Sequence, residues 1–413
     1  MWYYIIRMTS YVLKNKLEEK KLKPQCSVTS LLNRNFLLLM LCSTLSAVAF
    51  QMVIPTLPKY AVSLGISLSQ AGILSGMFSL TALVVRPFSG ALADRLNQKY
   101  LILFATFLMA SGTFGLSISS YLPMLMLFRI IQGIGFAING TTCIALATNF
   151  MPPEQISQGI GYFTMSNLIA TTFGPTLGLS LSELFGYTAV FRLAALSPLA
   201  AALFVLTVSN KKETSTRRSS GIHLQDLFAP QLAPFLLFTG VFSFSNGIVN
   251  SFLALWSEEQ GISGYSAFFI IQSVAIFLVR PQAGRINDKK GLSYVLLPAY
   301  LFAAFTLILI GTASNRWILY IAALFGAFGV GVGSPACQAE CVKRLGPEQR
   351  GVAVSTYYIG ADVAQGIAPA VGGAVAEQLG YSVMYCGASL LFGIAALIYF
   401  FYHRSEAISM AHS

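Results

Sequence analysis

Apolar runs of about 20 residues, separated by short polar connections, follow one another along almost the whole chain. A run of that length is what an α-helix needs to cross the hydrocarbon core of a bilayer. The strands of a membrane barrel would instead alternate apolar and polar residues. The pattern predicts twelve membrane-spanning helices, at residues 36–58, 70–90, 100–119, 122–150, 158–180, 188–208, 232–256, 265–284, 293–313, 317–342, 351–376 and 382–402.

The composition changes this picture little. Of the 413 residues, 55% are hydrophobic and only 10% are charged, whereas soluble proteins carry about 25% charged residues. So apolar a chain cannot cover its surface with polar side chains, and a lipid bilayer is the solvent that fits. We therefore expect an all-α membrane protein.

Basic residues are concentrated in every second connection, as on a cytoplasmic face. With the N-terminus inside, only Lys59 and Arg316 fall in outer connections, and Arg129 and Arg192 fall within spans. The other 22 of the 26 Lys and Arg lie in or beside inner connections and tails. The net charge of +11 is therefore explained by membrane topology rather than by a nucleic-acid partner. We expect an inner-membrane protein with both termini in the cytoplasm.

The sequence carries no phosphate-binding loop, no zinc-ligand spacing and no pairing of a nucleophile with a base. Its six cysteines are scattered and form no metal or disulfide pattern. We expect no enzymatic activity, no cofactor and no metal site.

One charged turn occurs twice, as RPFSGALADRLNQ from Arg86 and as RPQAGRINDKKG from Arg280, 194 residues later. Other segments repeat at the same offset, such as Pro175 with Pro369. The repeat predicts two pseudo-symmetric six-helix bundles related by an axis along the membrane normal, with the solute site between them. The expected organisation is a basic cytoplasmic tail (1–35), an N-terminal bundle (36–208), a cytoplasmic linker (209–231), a C-terminal bundle (232–402) and a short cytoplasmic tail (403–413).

Several motifs resemble those of the major facilitator superfamily, over all twelve spans. Residues 90–99 are similar to its G-x-L-a-D-r-x-G-r-k loop, with Asn97 where glycine is usual; we expect Asn97 to tolerate a left-handed turn. Arg129 opens a stretch similar to R-x-x-q-G-x-g. The end of span 1 and span 5 resemble the twelve-span drug:proton antiporters, span 5 through Gly161, Gly174, Pro175 and Gly178, although Ala170 and Leu179 replace two motif glycines.

The resemblance implies a charge relay at the cytoplasmic mouth that latches the outward-facing state. A carboxylate there can accept hydrogen bonds from helix N-termini and pair with arginine. The gating residues we expect are Gly90, Asp94, Arg95 and Lys99 in the first half and Gly284, Arg285 and Asp288 in the second.

Three charged residues within spans are candidates for proton coupling. An ionised side chain deep in a bilayer is costly, so it faces the bundle interior and usually serves function. Asp362 lies about midway along span 11, and Arg129 lies in span 4. Glu340 lies nearer the cytoplasmic end of span 10, where a solvated charge is an equal alternative.

Polar and aromatic residues at a similar depth are candidates for an adaptable solute pocket. They are Gln51, Phe136, Asn139, Asn167, Phe242, Asn246, Asn250, Gln338 and Tyr358.

The leading hypothesis is a monomeric secondary transporter that exports small amphipathic or drug-like compounds in exchange for protons. The alternative is an uptake or facilitative carrier for a polar solute such as a sugar or small metabolite. The exporter-type motif of span 5 favours the first, and the scarcity of acids at cavity depth slightly favours the second.

Overall fold

In the computed structural model of the chain, residues 33–151, 156–209, 229–345 and 350–412 are described. Twelve long helices in these ranges confirm the twelve predicted spans. They are α1 (Arg34–Ser63), α2 (Leu68–Arg95), α3 (Gln98–Ile118), α4 (Leu122–Thr148), α5 (Ile156–Phe185), α6 (Tyr187–Leu206), α7 (Ala233–Glu259), α8 (Ala267–Lys290), α9 (Ser293–Gly311), α10 (Arg316–Leu345), α11 (Arg350–Leu379) and α12 (Tyr381–His412). Most of the predicted tail and linker, residues 1–32 and 210–228, lies outside the described residues.

Helix ends follow local sequence signals. Asn33 and Ser67 precede α1 and α2, and their side-chain oxygens each accept a backbone N–H from the first turn. The short turns that follow α1 and α5 contain Gly65 and Gly186, at φ 81° and 78°, which other residues rarely adopt. Eleven of the helices are long and apolar enough to span a membrane, and α5, with 30 residues, completes the set.

The helices form two bundles, α1–α6 and α7–α12, each packed chiefly within itself. Aromatic rings fill both interiors. In the N-terminal half Phe50 stacks on Phe78 with centroids 4.1 Å apart, and in the C-terminal half Phe242 stacks on Tyr300 at 5.0 Å. The fold is therefore that of two six-helix bundles, as the repeat predicts.

The two ends of the bundle differ in charge. The connections α2–α3, α8–α9 and α10–α11 share one end, which includes the basic last turns of α8 and α10. We call this the basic end. The connections α1–α2, α5–α6, α7–α8 and α11–α12 lie at the other end, which we call the opposite end.

The halves meet most closely where α2 and α11 run antiparallel. A Cβ atom on Gly72 would lie 1.9 Å from the Pro369 carbonyl oxygen, and one on Gly76 would lie 1.9 Å from the Gly366 carbonyl oxygen. On the α11 side, a Cβ on Gly373 would lie 2.4 Å from the Leu68 oxygen. We call this contact the glycine seam. Because no side chain separates the backbones, the two helices approach as closely as small residues allow in membranes.

Two further contacts join the halves at the opposite end. The Ser69 backbone N–H donates to Glu377 at 2.8 Å, and the Thr176 hydroxyl of α5 donates to the Ser266 carbonyl oxygen at 3.0 Å. The seam, these bonds and the packing of α1 on α7 close the opposite end.

We predict that Gly76→Ala lowers the thermal stability of the protein, because the added Cβ must push α2 away from the α11 backbone. Overpacking of this kind costs about 1–3 kcal/mol. Gly393→Ala is the matched control, since nothing lies within 4 Å of a Cβ at that position of α12. The control should be neutral or stabilising, because alanine favours helix over glycine by about 1 kcal/mol. Thermal melting of the purified variants measures both, and equal melting temperatures would contradict the tight seam.

Candidate functional site

A charge pair joins the halves at the basic end of the seam. The Arg86 Nε of α2 lies 3.2 Å from the Asp362 Oδ2 of α11, and the Arg86 guanidinium lies over the Tyr358 ring, 5.1 Å from its centroid. Asp362 is 8% exposed, and its Oδ2 makes no hydrogen bond of good geometry. The contact is therefore a partly buried ion pair that bridges the two bundles.

Arg280 of α8 is the repeat equivalent of Arg86. The helix that carries it packs mainly on α10 and α5. The Arg280 side chain is exposed, and within the described ranges it forms no ion pair. We call Arg86, Tyr358 and Asp362 the central charge cluster.

Arg129 of α4 is buried, at 2% exposure, in an aromatic setting. Its guanidinium lies 4.8 Å from the Phe78 centroid and 5.9 Å from that of Phe50, and Phe136 completes the ring cluster. Its Nη1 donates to the Gln132 Oε1 at 2.5 Å, while its Nε has no hydrogen-bond partner. No carboxylate among the described residues pairs with it. Arg129 is therefore held by π-faces and an amide.

The predicted pocket residues separate into two groups. Phe242 is fully buried in the C-terminal half, against Tyr300 and Phe392, so it packs the core and lines no cleft here. Asn139 is also buried and accepts a weak bond from the Cys143 thiol. The partly exposed or exposed candidates are Gln51, Phe136, Asn167, Asn246, Asn250, Gln338 and Tyr358.

The predicted gating turns are partly described. The surroundings of Gly90 and the side chains of Asp94 and Arg95 lie outside the described residues. In the second half, Asp288 pairs with Lys343 at 2.9 Å, within its own bundle, and Gly284 and Arg285 are exposed. Lys99 donates to the carbonyl oxygens of Leu206 and Val208, so it caps the end of α6 and is not seen in a charge relay.

The expectation of a left-handed turn at Asn97 is wrong. Asn97 has φ −65° and ψ 112°, and its side chain accepts the Lys99 backbone N–H as the cap of α3. Its repeat equivalent, Gly291, does adopt φ 92°. A capping side chain satisfies the helix start without a positive φ, so the two copies of the turn have different backbones.

Glu340 pairs with Arg344 one turn further along α10, at 3.0 Å. This is a local pair near the basic end of the helix.

In the span 5 motif, Gly174 and Gly178 let α5 approach α1. A Cβ on Gly174 would lie 2.4 Å from the Gln51 Cβ, and one on Gly178 would lie 2.4 Å from the Met52 carbonyl oxygen. The surroundings of Gly161 lie outside the described residues.

The sequence reasoning missed a charged cluster at the opposite end. Lys59 of α1 is buried, at 5% exposure, and pairs with Glu258 of α7. Its ammonium also donates to the Tyr265 hydroxyl at 3.1 Å, which in turn donates to Glu258 at 2.7 Å and towards Glu183 of α5 at 3.3 Å. We call these four residues the opposite-end latch.

Tyr265 stays a hydrogen-bond donor in this latch. Burial, together with the neighbouring Glu258 and Glu183, raises its pKa far above the usual range. The hydroxyl is therefore protonated at any physiological pH. A signal for the latch was present in the sequence. Lys59 is a lone lysine just after span 1, and Glu183 and Glu258 follow spans 5 and 7 on the same side of the membrane.

Two six-helix bundles that are joined by ion pairs across their interface define a membrane transporter of the alternating-access class. The family model of the Major Facilitator Superfamily matches residues 39–339 and 269–410. The chain belongs to this superfamily.

Relatives of known name cover nearly the whole chain. The multi-drug resistance efflux pump PmrA of Streptococcus pneumoniae is 25% identical over 86% of this chain and 92% of its own length. The multidrug resistance protein MdtG of Serratia proteamaculans is 24% identical over 87% and 91%.

Solved structures share the fold at lower identity. A bacterial homologue of the human lysosomal transporter Spinster, inward-facing and occupied, aligns with TM-score 0.74 and 17% identity over 89% of this chain and 96% of its own. The nucleoside transporter NupG aligns with TM-score 0.73 and 14% identity over 89% and 98%.

We predict that reversing the Lys59 charge opens the opposite end. Lys59→Glu would place a third carboxylate beside Glu258 and Glu183, and like charges at this separation repel. Electron–electron distance measurements between labels at Leu64 and Gln260, in a variant without native cysteines, should change from one short distance to a longer, broader distribution.

The double variant Lys59→Glu with Glu258→Lys should restore much of the short distance. Arg316→Gln is the control, because Arg316 is exposed at the same end and contacts Trp317 rather than the latch. A short distance that persists in Lys59→Glu would show that the latch does not hold the halves together.

Proposed function

We propose that this chain is a proton-coupled exporter of small amphipathic, drug-like compounds in the inner membrane, acting as a monomer. The observation that carries the proposal is the ion pair between Arg86 and Asp362, which joins the halves through the one carboxylate found at mid-depth in the described spans. The names of the PmrA and MdtG relatives support drug export.

The basic end faces the cytoplasm in this proposal, because Lys and Arg favour the cytoplasmic side of membrane proteins. The seam and the opposite-end latch then close the external side. A state closed to the outside is the one that loads cargo from the cytoplasm, as an exporter must.

Protonation of Asp362 would break the bridge between the bundles. The ionised carboxylate attracts Arg86, whereas the neutral acid keeps only a weak dipolar contact and leaves the guanidinium free. Among the described residues, the charged group that faces Asp362 is Arg86 on α2. Proton occupancy therefore biases the packing of α2 on α11, which is the element that must move between inward-facing and outward-facing states.

Glu340 has a smaller part in this scheme. Its pair with Arg344 lies on one helix, so its protonation does not change any contact between the halves. Asp362 is the coupling site we propose, and Arg129 stabilises the N-terminal bundle through Phe50, Phe78 and Gln132.

We predict that Asp362→Asn abolishes proton movement that accompanies cargo, while downhill cargo exchange continues. The amide is isosteric but cannot carry a proton. Proteoliposomes with an internal pH dye, given ethidium or rhodamine 110, measure both quantities. Glu259→Gln, which alters an exposed acid at the opposite end, should behave as wild type, and Glu340→Gln should keep coupling.

Proton movement that continues in Asp362→Asn would show that Asp362 is structural and would favour Glu340 as the proton carrier. Cargo transport without proton movement in the wild type would instead favour the facilitative carrier.

A further inference from the structure

We propose that Tyr358 is a positioning residue of the coupling site, which holds the Arg86 guanidinium in a weak contact with Asp362 that a single proton can release. The inference rests on the proposed function, because it concerns the carboxylate that carries the proton there. Without the Tyr358 ring, Arg86 would form a closer and stronger ion pair with Asp362.

Tyr358 and Asp362 lie one turn apart on the same face of α11. Their spacing of four residues brings both side chains to the Arg86 guanidinium of α2. The guanidinium lies 5.1 Å from the Tyr358 ring centroid, within the range of a cation–π contact, and its Nε lies 3.2 Å from the Asp362 Oδ2. A π-face and a carboxylate therefore share one cation.

The contact between Arg86 and Asp362 is not the geometry that an arginine and a carboxylate prefer. An unrestrained pair forms two parallel N–H···O hydrogen bonds. Here the Asp362 Oδ2 is buried and has no hydrogen-bond partner in the described part of the chain, while the guanidinium lies over the ring. The ring and the carboxylate therefore compete for the guanidinium, and the ion pair is weaker than one formed without the ring.

The Tyr358 ring is itself held in place by the C-terminal bundle. It sits edge-to-face against Tyr357, with centroids 5.3 Å apart, and the hydroxyl groups of Tyr357 and Ser334 of α10 share a hydrogen bond of 2.6 Å. Tyr357 is buried, whereas Tyr358 is 37% exposed. This support does not depend on the charge of Asp362. When a proton neutralises Asp362, the ring therefore keeps Arg86 beside the site, where the pair can form again.

Arg86 is the charged group that faces Asp362 among the described residues. The other long helices that pack on α11 are α7, α10 and α12. Their described charged side chains lie near the ends of the spans, at Glu258 and Glu259 on α7, Arg316, Glu340, Lys343 and Arg344 on α10, and His403 and Arg404 on α12. The proton occupancy of Asp362 is therefore governed by Arg86, and the position of Arg86 by Tyr358.

Infrared titration of the purified protein in nanodiscs tests the proposal. The C=O stretch of protonated Asp362 is followed against pH, and Asp362→Asn identifies that band by its loss. Tyr358→Leu keeps an apolar side chain but removes the π-face. We expect it to need an about twofold to fivefold higher proton concentration for half-protonation, the effect of one cation–π contact, because Arg86 then pairs more closely with the ionised carboxylate. Tyr358→Phe keeps the ring and should titrate as wild type.

Tyr294→Leu is the matched control, since it removes a ring that lies under another cation, Lys290, at 5.8 Å. It should leave the titration of Asp362 unchanged. Melting temperatures of all variants separate a shifted titration from a misfolded protein, and Tyr358→Met is a second variant without a ring if Tyr358→Leu does not fold.

A titration that is unchanged in Tyr358→Leu, or that moves to a lower proton concentration, would overturn the proposal, because the ring would then be neutral towards the ion pair or strengthen it. An equal shift in Tyr358→Phe would also overturn it, by assigning the effect to the hydroxyl. So would a wild-type Asp362 that stays ionised at every pH the protein tolerates, since the bridge would not be weak.

Proton movement in proteoliposomes distinguishes these outcomes from failure of the proposed function. The expected shift in a protein that moves no protons with its cargo would contradict the proton-coupled exporter and leave the role of Tyr358 at the ion pair intact. Proton-coupled transport with no shift in Tyr358→Leu would do the reverse.

Discussion

The backbone contact between α2 and α11 is the constraint on which the rest of the structure depends. Glycines on both helices remove the side chains that would hold the bundles apart. Once the helices are that close, Arg86 reaches Asp362 at one end of the seam, and Ser69 reaches Glu377 at the other. In a bilayer there is no hydrophobic force between helices, so close packing and polar contacts of this kind hold the halves together.

The charges inside the membrane follow from the cost of burying them. A central arginine costs about 2.5–3.5 kcal/mol on insertion scales. Each desolvated cation–π contact returns up to about 2 kcal/mol, and a hydrogen bond to a charged group about 1.5–3 kcal/mol. Phe50, Phe78 and Gln132 can therefore compensate Arg129 without a carboxylate. Arg280 is not surrounded in this way, and its side chain is exposed.

Hydropathy alone located all twelve helices, because each span must satisfy its own backbone hydrogen bonds in lipid and is therefore a continuous apolar run. The depth of Asp362 in its span also followed from the sequence. Its partner Arg86 did not, since that contact depends on how the two halves approach each other. Lys59 was interpreted as a loop lysine for the same reason, and Phe242 was placed in a pocket because depth along a helix does not define which face is exposed.

The duplicated turn shows how a symmetric scaffold becomes directional. Contacts related by the 194-residue repeat occur on the two sides of the interface. Gly72 of α2 lies against Ala370 of α11, and its repeat equivalent Ser266 lies against Thr176 of α5. Among the described residues, backbone packs directly on backbone at the contact of α2 with α11. The same asymmetry separates Arg86, which pairs with Asp362, from Arg280, which forms no ion pair among the described residues. Leu168 stands at the position equivalent to Asp362, so the second copy of the bridge lacks its carboxylate. The duplicated scaffold therefore carries the ion pair between the bundles on one side of the interface only, as far as the described residues show.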